Sequence, residues 1–433
     1  MQTDQHSEPA PLRSATVGRR AALAGMLGTV VENYDFVMYA FVLVYTAPVF
    51  FPGGDTTTAI LTSLLVFGVG FVARPLGGIV FGRMGDRRGR RFTLLFTVGL
   101  MGFATVLIGA IPGYASIGVW APVLLVVARL AQGLSAGGEV IGAATYVIES
   151  STPGRRGLFS SATPLGAVLG TALAPAVVGV CTVVLGAGTM AAWGWRVPFL
   201  IALPLTIGCL LFRLRIEESP EFADLVRHED RAVAPVKEAI RGYWRQVILA
   251  GVLALVILFA GYTFNAYLPI YMTTVVGLPR ATIPLLAAVA IALAAPAVVL
   301  GGIAVDRFGG TVVMTVSLSA SAILIFPAMT LMGSVRSSIL AIGVVYWLLL
   351  VAVFAASPPA YEAIAAFFPT RVRYTGAAIG FNVGNAIGGG FGPYASAQVT
   401  TLTGEPRSPA LLVALAAVVG IATIFIARPS RRS

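Results

Sequence analysis

Long apolar runs recur along the whole chain, and short polar segments separate them. A helix needs about 20 apolar residues to cross roughly 30 Å of hydrocarbon, and twelve runs have about that length. They lie at residues 21–49, 57–82, 92–112, 118–147, 158–186, 195–214, 244–275, 281–304, 311–333, 338–360, 374–402 and 408–427. The pattern predicts twelve membrane-spanning helices, numbered here as spans 1 to 12 in chain order.

The two halves of the chain carry similar connections at matching positions. GDRRGRR after span 2 corresponds to VDRFGGT after span 8, and ESSTPGRRG after span 4 corresponds to EAIAAFFPTRVRYTG after span 10. Parallel repeats of this kind build transporters whose solute site lies between the halves near the membrane midplane. We therefore expect an all-α integral membrane fold with two pseudo-symmetric six-helix bundles, at residues 21–214 and 244–427. The tails at 1–20 and 428–433 and the connector at 215–243 complete the expected organisation.

Composition and charge agree with a membrane protein. Of the 433 residues, 57% are hydrophobic and only 11% are charged, against about 25% charged in soluble domains. The net charge of +11 comes mainly from arginines in the two tails and in the connections from even to odd spans, whereas the opposite connections hold Arg280, Arg336 and Arg407. This asymmetry predicts that both termini are cytoplasmic, and it explains the positive charge without a nucleic-acid partner.

Span 1 contains two carboxylates in the stretch VVENYDFVMY. Glu32 and Asp35 are three residues apart and thus share one helix face. A carboxylate in hydrocarbon costs a few kcal/mol, so we expect both to face a water-filled cavity. Burial and a neighbouring negative charge both favour the protonated acid, so the pair is suited to carry a proton. Its expected partners are Arg74 of span 2 and Arg129 of span 4, either of which could exchange its carboxylate for an anionic solute.

A static ion-pair network that only orders spans 1, 2 and 4 is the alternative interpretation of these four residues. Glu139, after two glycines in span 4, either belongs to the same network or lines the cytoplasmic path. The candidate proton-coupling residues are therefore Asp35, Glu32 and Glu139.

Amides and tyrosines in spans 1, 7 and 11 lie where a midplane cavity would be. Amide and hydroxyl groups suit hydrogen bonding to a small polar solute, and tyrosine faces attract quaternary ammonium groups. Tyrosines near helix ends are also common as interface anchors, which is the structural alternative. The candidate solute-binding residues are Arg74, Arg129, Tyr34, Tyr262, Asn265, Asn382 and Asn385.

The segment GRMGDRRGRR between spans 2 and 3 has glycines that permit a tight turn and an aspartate that can pair with arginines of neighbouring loops. It predicts an electrostatic latch on the closed cytoplasmic side, although an ordinary cytoplasmic loop would also be basic. The candidate gating residues are Gly82, Asp86, Arg87, Gly89, Arg90, Arg91, Glu149, Arg155, Asp306, Arg307, Glu362 and Arg371. The glycines of spans 5 and 11, Gly166, Gly170, Gly380, Gly384 and Gly388, predict close helix packing.

The segment GRMGDRRGRR between spans 2 and 3 resembles the signature loop of the major facilitator superfamily, and RLAQG in span 4 resembles the second motif of that superfamily. VENYDFVMY, GFVARPLGGIVFG, WGWRVPF and EESPEF resemble its metabolite:proton symporter branch, which includes carriers of 2-oxoglutarate, citrate, shikimate and proline or betaine. The resemblance implies the major facilitator fold and uptake of a small organic solute together with protons.

No nucleotide-binding loop occurs in the chain, and its two histidines lie in a tail and in the connector. We therefore expect a proton-coupled symporter of a carboxylate or zwitterion rather than an enzyme, with no cofactor and no metal site. It is expected to work by alternating access, as a monomer in a bacterial inner membrane. A proton-coupled exporter of the same fold is one alternative, and a nutrient-sensing transceptor is another.

Overall fold

The computed structural model describes residues 15–52, 55–88, 90–137, 158, 161–214, 235–334, 338–369 and 372–427. Within these ranges the chain forms helices and short connections, with no strand. The first six predicted spans correspond to Ala15–Phe50, Thr56–Val72 with Arg74–Arg88, Arg90–Ala110, Trp120–Ala136, Ala162–Leu185 and Arg196–Leu214. The last six correspond to Trp244–Tyr262 with Leu268–Thr274, Thr282–Ala294 with Pro296–Phe308, Gly310–Ser334, Ile339–Ala355 with Ser357–Ala366, Arg373–Asn385 with Phe391–Thr403, and Pro409–Ile426.

Short helical segments complete these elements. The π-helical segments Thr263–Tyr267 and Ala386–Gly390 join the two parts of spans 7 and 11. Tyr114–Ile117 precedes span 4, while Ala187–Thr189 and the π-helical Met190–Gly194 precede span 6. The end of the connector forms the helix Pro235–Gly242, which the sequence did not predict.

Eight helical segments in the described part of the chain are long and apolar enough to cross a membrane, and they belong to spans 1, 2, 5, 7, 8, 9, 10 and 12. Span 6 reaches that length only with the preceding helix, across a bend of 68°. Spans 3 and 4 contain shorter apolar helices, and glycines, amides and hydroxyls lower the hydropathy of span 11. Each of the twelve predicted spans nevertheless corresponds to a helix, so the all-α membrane fold is confirmed.

Four spans are interrupted near their middle by a proline. The second helix of spans 2, 7, 8 and 10 has proline at its first or second position, namely Pro75, Pro269, Pro296 and Pro358. Proline fits the first turn of a helix, but it lacks an N–H group and its ring clashes with the preceding turn. The interruptions therefore divide each of these spans into two helical parts, and in span 2 the interruption lies directly before the buried Arg74.

Glycines allow the closest approaches between spans within each half. A Cβ atom at Gly166 or Gly170 of span 5 would overlap the backbone of span 1, and a Cβ atom at Gly384 or Gly388 of span 11 would overlap the backbone of span 7. The predicted packing role of these glycines is thus confirmed. Spans 5 and 11 occupy equivalent positions, so the two halves use the same packing device.

The two halves also contact each other. Near the middle, a Cβ atom at Gly68 of span 2 would lie 2.7 Å from the carbonyl oxygen of Gly390 in span 11. Towards the side of the chain termini, Asn382 Nδ2 donates a hydrogen bond of 3.3 Å to the carbonyl oxygen of Gly137 at the end of span 4. The halves are therefore closed against each other at mid-depth and on the terminal side.

Candidate functional site

Glu32 and Asp35 lie one turn apart on span 1, and their exposed fractions are only 4% and 0%. The break in span 2 makes Arg74 the first residue of a new helix. Arg74 Nη1 lies 3.9 Å from Glu32 Oε1, which is close enough for electrostatic attraction but too far for a direct hydrogen bond between these atoms. The expected pairing of Arg74 with a carboxylate of span 1 is therefore present, and Glu32 supplies that carboxylate.

Asp35 has a different environment. Neither of its carboxylate oxygens has a hydrogen-bond partner, and among the described residues it forms no ion pair. The hydroxyl of Thr105 lies beside it, but this hydroxyl donates to the Met101 carbonyl at 2.9 Å and accepts from Gln132 Nε2 at 2.8 Å. Asp35 is consequently a fully buried acid that, among the described residues, has neither an ion-pair partner nor a hydrogen-bond donor directed at its oxygens.

Arg129 binds backbone carbonyls instead of a described carboxylate. Its Nη1 donates to the Phe36 carbonyl at 3.2 Å and to Gln132 Oε1 at 2.8 Å, and its Nη2 donates to the Phe67 carbonyl at 3.1 Å. The guanidinium also lies 4.4 Å from the ring centre of Phe36 and 5.0 Å from that of Tyr39. Arg129 thereby connects spans 1, 2 and 4, as the network interpretation expects.

An aromatic cluster surrounds the Arg74 side chain. The Arg74 guanidinium lies 4.3 Å from the ring centre of Phe36 and 4.8 Å from that of Phe71. Tyr262 of span 7 packs edge-on against Phe71 at 5.0 Å and against Phe67 at 6.0 Å. Phe71 thus joins the buried Arg74 of the first half to a tyrosine of the second half, and the site lies between the halves.

The amides of spans 7 and 11 are buried in the second half. Asn265 Nδ2 donates to the Gly261 carbonyl at 2.8 Å, and Asn382 contacts span 4 as described above. The Oδ1 atoms of Asn265 and Asn385 are buried without a hydrogen-bond partner. A Cβ atom at Gly389 would contact both Asn385 Oδ1 and the Tyr262 ring, so Asn385 belongs to the Tyr262 side of the site.

Tyr34 points to another part of the first half. Its hydroxyl donates a hydrogen bond of 2.8 Å to the Pro198 carbonyl of span 6. The structure therefore brings Glu32, Asp35, Arg74, Arg129, Tyr262 and Asn385 together around spans 1, 2, 4, 7 and 11, whereas Tyr34 connects span 1 to span 6.

The sequence reasoning missed several members of the site. Gln132 lies one turn after Arg129 in the same RLAQG motif, and this spacing was a usable signal. Tyr361 of span 10 packs against Phe381 at 5.3 Å and lies within electrostatic range of Tyr262 and Glu32. The phenylalanines of the aromatic cluster gave no signal, because their apolar side chains look like any core residue of a membrane helix.

The latch residues are only partly within the described part of the chain. Asp306 Oδ2, at the end of span 8, accepts a hydrogen bond of 3.2 Å from the Leu158 backbone N–H, which precedes span 5. Arg307 is exposed, and Glu362 is half-buried in span 10. Gly82, Asp86, Arg87, Arg90 and Arg91 lie in the helices on both sides of the 2–3 connection. Gly89, Glu139, Glu149, Arg155 and Arg371 lie outside the described residues.

A buried site between two six-helix halves has a counterpart among known protein families. The profile of the family described as "Major Facilitator Superfamily" matches residues 25–393. The chain belongs to the major facilitator superfamily. This assignment confirms the family resemblance and identifies the protein as a multi-pass membrane transporter rather than an enzyme.

Individual facilitators resemble the chain over nearly its whole length. It is 34% identical over 441 residues to the ectoine/proline transporter ProP of Corynebacterium glutamicum, covering 95% of this chain and 85% of that protein. It is 32% identical over 431 residues to the proline/betaine transporter of Escherichia coli, covering 96% and 85%. The solved xylose transporter XylE of E. coli superposes with a TM-score of 0.75 at 18% identity, covering 95% and 97%, and this likeness supports the facilitator fold alone.

Proposed function

We propose that this facilitator imports a small carboxylate-bearing solute together with a proton. The observation that carries the proposal is Asp35, which is fully buried without a hydrogen-bond partner one turn from the Glu32–Arg74 pair. An ionised carboxylate in such surroundings is costly, and a proton removes its charge. Asp35 is therefore the proton carrier of this closed arrangement.

The balance of buried charges couples the proton to the solute. Among the described residues the fully buried charged side chains are Glu32, Asp35, Arg74 and Arg129. With Asp35 protonated, two positive charges face one negative charge, and the site attracts one further anionic group. With Asp35 ionised the charges balance and this attraction disappears. Proton and carboxylate thus favour each other's binding, in a ratio of one to one.

Arg74 is the proposed ligand of the solute carboxylate. Its 3.9 Å separation from Glu32 leaves the guanidinium without a short hydrogen bond to that acid, so a carboxylate with bidentate geometry competes well for it. The faces of Phe71 and Tyr262 next to Arg74 suit the cationic end of a zwitterion. Proline, betaine and ectoine in the names of the relatives belong to this chemical class.

The latch on the terminal side completes the proposed cycle. With both termini in the cytoplasm of a bacterium, the Leu158–Asp306 and Gly137–Asn382 contacts close the inner side. Loading of proton and solute from outside is followed by rocking of the halves, which opens these contacts. The protein is proposed to act as a monomer, with H⁺ as the coupling ion and without a cofactor.

Uptake into proteoliposomes tests the proposal. Radiolabelled proline and glycine betaine are offered with and without an inward proton gradient, to the wild type and to Asp35→Asn. We expect gradient-driven accumulation in the wild type, and only solute exchange in Asp35→Asn, because an amide cannot release a proton. Asp55→Asn is the matched control, since Asp55 is an exposed helix cap outside the site. Equal accumulation in Asp35→Asn and wild type would refute the role of Asp35.

A further inference from the structure

A narrow cleft separates the two halves on the side opposite to the termini. It lies between the last third of span 1, with Phe41 and Tyr45, and spans 7 and 8, with Ile270 and the preceding connection residue Arg280. The space in it that a water-sized sphere can occupy is about 20 Å³, which is room for about one water molecule. The cleft, called the seam below, is thus too narrow for an organic solute but wide enough for about one water molecule.

Tyr45 brings an unsatisfied polar group to this seam. Its side chain is 3% exposed, and its hydroxyl has no hydrogen-bond partner. A buried hydroxyl without a partner is unfavourable and calls for an explanation. A ligand or water molecule within the cleft supplies the missing partner.

Arg280 brings a positive charge to the mouth of the same seam. It is exposed, and among the described residues it forms no ion pair. The other described arginines on this side are engaged: Arg407 pairs with Glu405 at 2.7 Å, and Arg196 donates to the Gly109 and Ile111 carbonyls at 2.7 and 2.6 Å. Among the described arginines of this surface, Arg280 is therefore the one available for an anion.

We propose that Arg280 and Tyr45 form an outer capture site for the carboxylate of the incoming solute, an inference that rests on the proposed function. A guanidinium and a phenol hydroxyl are both donors for carboxylate oxygens. Because the cleft admits little more than a water molecule, the carboxylate is held at the mouth by the exposed Arg280, and the buried Tyr45 hydroxyl reaches it through the one water molecule for which the cleft has room. Separation of spans 1 and 7 along the seam then opens the way to Arg74.

Initial uptake rates against solute concentration test the capture site. Arg280→Gln is expected to raise KM about fivefold at low ionic strength, the effect of one exposed charge pair, without changing Vmax or the gradient dependence. Arg280→Lys keeps the charge and should retain most of the wild-type affinity. Arg407→Gln removes an engaged guanidinium of the same surface and should leave KM unchanged.

Salt and a double variant provide further readouts. Added salt screens exposed charges, so the wild-type KM should rise towards the Arg280→Gln value while the KM of that variant stays nearly constant. Tyr45→Phe should also raise KM, and the double variant should show less than the product of the two effects, because both groups bind one carboxylate.

Each alternative outcome has a definite meaning. Unchanged KM in Arg280→Gln, or an equal KM increase in Arg407→Gln, would refute the capture site while leaving the proposed function intact. A loss of Vmax without a KM change would assign Arg280 a structural role and refute capture as well. Absence of gradient-driven uptake in the wild type would refute the proposed function and, with it, this inference.

Discussion

Two acids one turn apart on span 1 have different neighbours. Glu32 lies near Arg74, so its charge is balanced in place. Asp35 lies beside Thr105, whose hydroxyl is already committed to Met101 and Gln132. In the proposed mechanism, the first acid holds a guanidinium between solute-binding cycles and the second exchanges a proton.

This difference predicts opposite effects on stability. Glu32→Gln leaves the buried Arg74 guanidinium uncompensated, and loss of one partner of a buried pair costs about 3–5 kcal/mol, so the melting temperature should fall. Asp35→Asn removes an acid without a partner and should leave the melting temperature at or above that of the wild type. Thermal unfolding of both variants in detergent, at one pH and one lipid content, gives the comparison. A larger loss of stability in Asp35→Asn would contradict the assignment.

At the scale of elements, the interruptions of the spans shape the site. Arg74 follows the break in span 2. Tyr262, directly before the π-helical segment of span 7, and Gly390, the last residue of the π-helical segment of span 11, meet the same region. The close Gly68–Gly390 approach lies at this level and allows the halves to touch backbone to backbone.

A methyl group at this crossing should impair transport. Gly68→Ala places a Cβ atom 2.7 Å from the Gly390 carbonyl oxygen, so spans 2 and 11 must separate. We expect a several-fold lower Vmax and a melting temperature lower by a few degrees. Gly99→Ala is the matched control, because a Cβ atom there has no neighbour within 4 Å and alanine favours the helix. Equal behaviour of the two variants would exclude the crossing as a functional contact.

The sequence predicted the spans and the buried charged residues of spans 1, 2 and 4 better than it predicted the interruptions of the helices and the aromatic cluster around Arg74. Twenty-residue apolar runs and isolated charges such as Glu32 and Arg74 are strong local signals, because hydrocarbon penalises every exception. The break at Arg74 was not predictable, since many membrane helices tolerate proline. The contact of Tyr262 with Phe71 joins residues almost 200 positions apart, and only the packed halves bring them together.

At the scale of the whole molecule, the two halves contribute different kinds of buried polar side chain. All fully buried charged side chains among the described residues belong to spans 1, 2 and 4, whereas the second half contributes amides, hydroxyls and Tyr262. The two halves meet again at the latch, where Asp306 of the second half accepts the Leu158 N–H of the first. We therefore propose that closure on that side involves this contact together with the Gly137–Asn382 hydrogen bond.

Weakening this contact should open the terminal side. Asp306→Ala removes the acceptor of the Leu158 N–H and should increase the rate at which a maleimide alkylates Asn382→Cys, in a background of Cys181→Ser and Cys209→Ser. Phe308→Ala changes a nearby exposed residue that is not among the candidate gating residues and should leave the alkylation rate unchanged. Equal rates for Asp306→Ala and the background protein would show that the hydrogen bond does not limit closure.

The confinement of buried charge to the first half has a consequence for how such proteins diversify. In the proposed mechanism, substitutions around Tyr262, Asn265 and Asn385 alter which carboxylate-bearing solute is accepted, while Asp35 and the arginines of the first half stay unchanged. Proton coupling and the choice among such solutes would then be separable in evolution. A chimaera that joins this first half to the second half of a relative should keep the proton dependence of the one parent and acquire the solute range of the other.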